Sequence, residues 1–141
     1  MDPKAFAVAL YDAFNRDDLD AALALAADDI EIVNHGWNMT YRGHEGFRTF
    51  MQGWKSMAPD SMVEIVRQLS GPDGVANECI FHGTHSGPLE TPTGTIPATG
   101  KHIDVPICEV WRIRDDVLVS LHNYADGLTI LAQMGLMPAP E

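Results

Sequence analysis

The sequence predicts an α+β domain in which a strongly bent antiparallel sheet wraps around N-terminal helices and leaves a cone-shaped barrel with a central cavity. Three observations lead there. Apolar residues recur at helical spacing as far as Met57, the period changes to two from Met62 onward, and no repeat or interdomain linker divides the 141 residues. Helices first and strands afterwards is the pattern of α+β layering, in which each element buries one apolar face against another. A chain of this length reads as one domain, residues 1–141, and can bury a continuous core without disulfide or metal.

Pro3 to Asn15 reads as a helix, with Pro3 tolerated in its first turn and Phe6, Leu10, Ala13 and Phe14 forming one apolar stripe. A second helix follows, capped by Asp17 or Asp18, carrying Leu19, Leu23 and Ala26 and ending at Asp28-Asp29. Ile30 to Asn34 is a short strand, and Glu45 to Met57 a third helix with Phe47, Phe50, Met51, Trp54 and Met57 on one face, stopped by Pro59. Met62 to Leu69 and Val75 to His85 are strands joined by the turn Gly71-Pro72-Asp73-Gly74. Ser86 to Lys101, rich in Pro, Thr and Gly, reads as an irregular flap. Ile103 to Asp126 reads as two strands around a tight turn at Asp115-Asp116. Asp126 to Met134 is a last short helix with Gly135 as its left-handed stop and Pro138 beyond.

Net charge −11 with nine Lys and Arg argues against nucleic acid or an anionic membrane as partner, since both require a basic patch. No run of about 18 apolar residues is present, and the first residues lack the pattern of a signal peptide, so a cytoplasmic protein is expected. Cys79 and Cys108 stand alone in separate strands and read as two small core residues. No Walker loop, dinucleotide fingerprint or G-x-S-x-G occurs, so nucleotide binding is disfavoured.

One residue breaks the pattern of its strand. Glu109 shares the face of Val105, Ile107, Trp111 and Ile113, so a carboxylate points where its companions are apolar. Burial raises a carboxylate's pKa and makes it a proton-transfer group near neutral pH. The competing reading is a structural acid paired with Arg112 or Arg114. His122 is a candidate acid or orienting donor, against a satisfied barrel histidine; Asp126 is a candidate second carboxylate, against a helix N-cap. His35, flanked by Asn34 and Trp37, and His85, beside Gly83 and Gly87, are candidate pocket groups. Trp37, Trp54 and Trp111 are candidate apolar walls for a flat ligand, with Asn123 and Tyr124 beside His122. His82 and His85 face opposite sides of their strand and cannot chelate together, so no metal is expected. His44 and His102 read as solvent-facing.

Several segments together resemble the SnoaL-like polyketide cyclases, within the nuclear-transport-factor-2-like superfamily that also holds ketosteroid isomerases and limonene epoxide hydrolases. They are Y-D-A-F-N-R-D-D-L-D-A-A-L-A-L-A-A-D-D-I, Y-R-G-H-E-G-F-R-T-F, F-H-G-T-H-S-G, A-T-G-K-H-I and the long run from E-V-W-R-I-R to A-Q-M-G-L. The resemblance implies a cofactor-free cavity enzyme in which an acid removes a proton alpha to a carbonyl and the enolate closes a ring by aldol attack. The family commonly shows a W-D-x-x-D-like run in the last strand, where this chain has His122, Asn123 and Asp126. An amide at 123 cannot serve as general base, so if that position carries the family's acid/base, this chain has lost it or moved the task to Glu109 or His122.

The reading is therefore a cyclase-like or isomerase-like enzyme acting on a hydrophobic small molecule through Glu109, His122 and Asp126. The alternatives are a non-catalytic ligand-binding or dimerisation module of the same fold and an epoxide or ester hydrolase, although no Asp-Arg-Asp trio is evident. Homodimerisation through the outer sheet face is expected under each.

Overall fold

The computed structural model of the chain describes residues 1–137, so Pro138 lies outside the described residues. Helices α1 (Pro3–Asn15) and α2 (Leu19–Ala24) lead to strands β1 (Ala26–Asn34) and β2 (Met39–Arg42) and then to helix α3 (Gly43–Met57). Strands β3 (Met62–Gly71), β4 (Gly74–Thr84), β5 (Leu89–Thr91), β6 (Gly94–Ile96), β7 (His102–Arg114) and β8 (Val117–Ala125) follow, and helix α4 (Gly127–Gln133) comes last.

Six strands form one strongly curved, unclosed sheet in the order β2-β1-β8-β7-β4-β3. Its inner face is written in the sequence by alternation. On β7, Ile103, Val105, Ile107, Glu109 and Trp111 are buried while Asp104, Pro106, Val110 and Arg112 are exposed. Helices α1 and α3 supply the opposing wall with Phe6, Leu10, Tyr11, Phe14, Phe47, Phe50 and Met51, all buried. Each such large side chain taken from water stabilises the fold by roughly 1.5–3 kcal/mol before entropy is counted.

Local chemistry accounts for the joints. Asp115 and Asp116 both adopt positive φ, 53° and 60°, which gives the β7–β8 hairpin the turn hand that matches strand twist. Asp18 caps α2 by accepting from Ala21 N at 3.1 Å, and Gly135 takes φ +77° after α4.

Four expectations are corrected. Strand β1 pairs with β8 in parallel, whereas its other partner β2 and every other pair in the sheet are antiparallel. Periodicity encodes which face a strand buries but not the direction of its partner, and the chain between β1 and β8 is long enough for the crossover that parallel strands require. Helix α2 stops at Ala24 rather than at Asp28-Asp29, and β1 starts at Ala26 rather than Ile30. There Leu118 N–H donates to Leu25 O at 2.8 Å and Ala26 registers with Leu118, so sheet pairing overrides the helical preference of an Ala-rich run. The 86–101 segment is not wholly irregular, because β5 and β6 pair as a hairpin. Pro92 presets the turn, Gly94 takes φ +139° and Thr91 Oγ1 donates to Gly94 O at 2.7 Å; three-residue strands are too short to show a period. Cys108 is only half-buried, on the outer side of β7, while Cys79 is core.

The base of this flap lies against the end of α3. Gly87 N–H donates to Met57 O at 3.0 Å, and a Cβ on residue 87 would sit 1.9 Å from Ser56 O. Gly87→Ala is expected to cost about 1–3 kcal/mol through this overlap. Urea unfolding should show a lower midpoint at unchanged slope, and an unchanged midpoint would refute the close approach.

Candidate active site

Because β7 turns every second side chain into the hollow, Glu109 is carried inward between Ile107 and Trp111 and is only 5% exposed. Three donors meet it. Tyr11 OH donates to Oε1 at 2.6 Å, Trp111 Nε1 donates to the same oxygen at 3.2 Å, and Asn123 Nδ2 donates to Oε2 at 2.7 Å. Oε1 thus has both acceptor positions used, and Oε2 keeps one free. Burial pushes the Glu109 pKa up, and the three donors pull it back only in part. The Tyr11 hydroxyl is held well above its ordinary value by burial and then by the neighbouring Glu109 charge, so it remains a donor.

Glu109 is the centre of a polar row that crosses the sheet at one register. Gln68 of β3 stands opposite Asn77 of β4, Asn77 opposite Glu109, Glu109 opposite Asn123 of β8, and Asn123 opposite Asn34 of β1. Gln68 Nε2 donates to Asn77 Oδ1 at 3.0 Å, and Asn34 Oδ1 accepts from Trp37 N at 3.3 Å. Two buried atoms of the row have no partner, Asn77 Nδ2 and Asn123 Oδ1. The orientation of Asn123 is dictated by chemistry, since an ionised carboxylate only accepts and must be met by the amide nitrogen. That leaves a bare carbonyl oxygen in the site. Tyr11, Asn34 and Asn77 were not identified from sequence, although Asn34 after Ile30 and Ile32, and Asn77 between Val75 and Cys79, interrupt apolar alternation as Glu109 does.

The space in front of Glu109 is small and apolar, and it adjoins a larger one across shared lining residues. Leu10, Phe14, Phe47, Val63, Phe81 and Leu121 join Tyr11, Trp111 and Asn123 around a cavity of about 40 Å³, enough for roughly three waters. Beyond it lies a groove of about 550 Å³ between α3, β2 and the β5 hairpin, reached by Trp37, Tyr41, Leu89 and Ile130. Phe50 and Trp54 line both spaces, their rings edge to face at 6.4 Å. They form the partition.

The structure brings together Glu109, Trp111, Asn123 and Trp54, and puts Trp37 in the groove. It does not bring in the rest. His122 and Tyr124 leave the opposite face of β8 beside Val110 and Arg112, because the period that turns Asn123 inward turns both neighbours outward. His35 joins them there, exposed, stacked on Tyr124 at 4.2 Å with its Nε2 2.8 Å from His122 Nδ1. His85 is fully buried beneath the flap rather than at a mouth; its Nδ1 lies 2.9 Å from Thr99 Oγ1 and accepts from Thr99 N at 3.3 Å, and burial lowers its pKa. Asp126 caps α4, accepting from Leu128 N and Thr129 N and from the Thr129 hydroxyl at 2.7 Å, and these donors hold its pKa down. Arg112 and Arg114 point outward with His122, so neither pairs with Glu109.

The Glu109 pKa makes stability depend on pH. The folded chain holds this proton more tightly than the unfolded one, so the contribution is whole below the ordinary glutamate value of 4.5 and is lost as pH rises through the raised folded value. Urea unfolding across that window should show wild-type stability falling relative to Glu109→Gln, whose amide Asn123 can meet by flipping. A pH-independent difference between the two would mean that Glu109 carries no raised pKa.

The comparisons with known proteins bear on the family and the fold. The SnoaL-like domain matches residues 7–121. IdmH, a putative polyketide cyclase from Streptomyces antibioticus, is similar at 29% identity over 96% of this chain and 99% of that one, with a TM-score of 0.80. A putative SnoaL-like polyketide cyclase from Jannaschia sp. CCS1 overlays at a TM-score of 0.84 with 17% identity, covering 96% and 93% of the two chains. A hypothetical protein of ketosteroid isomerase-like fold from Catenulispora acidiphila, in complex with trimethylamine, does so at 0.78 with 23% identity, covering 94% and 93%; these last two speak to fold alone. No curated protein matches the sequence. With a family match over most of its length and the same curved sheet around a cavity, the chain belongs to the SnoaL-like domain family.

Proposed function

We propose that this protein catalyses proton transfer at a carbon alpha to a carbonyl in a hydrophobic small molecule, the resulting enolate closing a ring by intramolecular aldol attack. The observation that carries this reading is Glu109, a carboxylate on the wall of an otherwise apolar cavity with one oxygen saturated by donors and the other partly free. Oε2 takes the proton from carbon, and the C–H electron pair becomes the enolate. The enolate carbon bonds to a second carbonyl carbon of the same molecule, and Glu109 returns its proton to the alkoxide. The substrate's own carbonyl is the electron sink, so the step needs no cofactor.

Tyr11 and Trp111 fix the acid, and Asn123 both holds Oε2 and offers its bare Oδ1 to a ligand hydroxyl or enol. A substrate carrying a hydrogen-bond donor beside the reacting carbon is therefore favoured over its ether, which would leave a buried acceptor unpaired. The groove falls in the ~300–1,000 Å³ range of small-molecule sites. The reacting end enters past Phe50 and Trp54 while the remainder stays in the groove. His122 and Asp126 take no part in this scheme.

A slowly exchanging aryl ketone such as 1-tetralone, incubated with the protein in D2O, should exchange its alpha protons faster than in buffer, with the rate rising with pH through the Glu109 pKa. Glu109→Gln should reduce the catalysed part about 10²–10⁴-fold, and His122→Ala should leave it unchanged. Equal rates for Glu109→Gln and wild type would remove Glu109 from the mechanism. Ketone binding without exchange in either protein would favour the non-catalytic module.

The same reading places two copies of the chain together through the outer sheet face, in the cytoplasm, without nucleic acid or membrane as partner. Support comes from Val110 and Tyr124, 43% and 46% exposed on that face, and from the net charge of −11. Among the described residues no helix is long and apolar enough to cross a membrane. Sedimentation at micromolar concentration should give a dimer that Val110→Glu converts to monomer, and a monomeric wild type would overturn the assignment.

A further inference from the structure

A different cluster occupies the outer face where β3, β4 and β7 meet. His82 of β4 stands directly opposite Asp104 of β7, and His102 lies two residues before Asp104 on the same face. His82 Nδ1 and His102 Nε2 both approach Asp104 Oδ1, at 2.6 and 2.9 Å. One ligand atom from each of the three residues falls within 4.8 Å of the others. The expectation that this chain holds no metal rested on His82 with His85, which point to opposite sides; the partners of His82 lie across the sheet and not along the strand.

We propose that His82, His102 and Asp104 form a binding site for a divalent transition metal, with Glu64 as the residue that orients His82. Zinc bound at 2.0–2.1 Å from nitrogen sets ligand-to-ligand edges of about 3.3 Å in a tetrahedron. The present separations reach that by side-chain movements of an ångström or so, and all three side chains are at least one-third exposed and free to make them. Water completes the coordination.

Two features distinguish this group from a chance surface ion-pair network. Glu64 on β3 lies 2.9 Å from His82 Nε2, on the far side of the ring from Asp104. Without metal both ring nitrogens donate, Nδ1 to Asp104 and Nε2 to Glu64; a metal would replace the Nδ1 proton while Nε2–H stays on Glu64, the carboxylate–histidine–metal relation that fixes ring and tautomer in metal centres. Asp104 is also held by its backbone, because its N–H donates to Gln133 Oε1 at 2.6 Å and its carbonyl accepts from Gln133 Nε2 at 2.8 Å. Two imidazoles with one carboxylate suit zinc, nickel or copper, whereas magnesium and calcium require an oxygen set.

Zinc chloride titrated into the intact protein at neutral pH in a non-coordinating buffer provides the test, by calorimetry and by amide NMR. Binding of one zinc per chain with a dissociation constant below about 100 µM is expected. Shifts should be confined to β3, β4, the start of β7 and α4. His82→Ala, His102→Ala and Asp104→Asn should each weaken binding at least tenfold, and Glu64→Gln about 10–100-fold, as loss of an orienting carboxylate does. The substitutions lie on the surface, and unchanged far-UV circular dichroism shows that each variant has folded. His122→Ala, which removes the only other close histidine pair among the described residues, should leave binding intact. Zinc binding lost in His122→Ala but retained in His82→Ala, or a dissociation constant weaker than about 1 mM, would overturn the site.

Discussion

A carboxylate removed from water on the concave face of a sheet must be met by donors, and most of this architecture can be understood from how Glu109 meets that requirement. An unpaired buried ion carries a penalty of several kcal/mol. Tyr11, which donates to it, is 98 positions away in the chain on α1, so the hydrogen bond ties the first helix to the centre of the sheet. Asn123 donates only because β7 and β8 hold one register, in which Glu109 stands opposite Asn123. A slip of one residue in that hairpin would turn Glu109 outward and its donors to other partners. The Asp115-Asp116 turn, with both residues at positive φ, fixes the loop length that excludes the slip.

The apolar wall opposite Glu109 performs two tasks through the same residues. Leu10, Phe14, Phe47 and Phe50 are core, which a chain of this size needs, and they are also the low-polarity surroundings that keep the Glu109 pKa high. Under the proposed function, stability and reactivity therefore trade against one another here. Enlarging the cavity to admit ligand would admit water and lower the pKa, whereas sealing it would exclude ligand. The proposed function relieves this conflict by housing the bulk of a ligand in the groove beyond Phe50 and Trp54, so that the inner cavity has to hold only the reacting end.

The fold was legible where periodicity alone decides. Helix α1, helix α3, the β3–β4 and β7–β8 hairpins and the inward face of Glu109 and Trp111 follow from spacing, because a side chain's direction is set by its own strand or helix. What was not legible depends on a second segment. The parallel pairing of β1 with β8, the Tyr11 hydrogen bond and the Asn34 to Gln68 row each require knowing which strand or helix lies alongside. The misplacement of His122, Tyr124 and His35 has another cause. His122, Asn123 and Tyr124 are consecutive on β8, and a strand cannot present three consecutive side chains to one face, so the alternation that singles out Glu109 admits only Asn123.

Asn123 becomes intelligible once Glu109 is seen beside it. The family's last strand commonly carries an acid there, and in this chain the acid stands one strand away, at the registered position of β7. With Asn123 Nδ2 only 2.7 Å from Glu109 Oε2, an aspartate at 123 would set two carboxylates against each other in an apolar cavity, and both could not ionise at neutral pH. The amide replaces that repulsion with a donor to Glu109 and leaves a buried acceptor without a partner. Under the proposed function the pair is complementary, an acid that transfers the proton and an amide that orients both acid and substrate. On that proposal the amide in the last strand marks relocation of the acid across the sheet and not its loss.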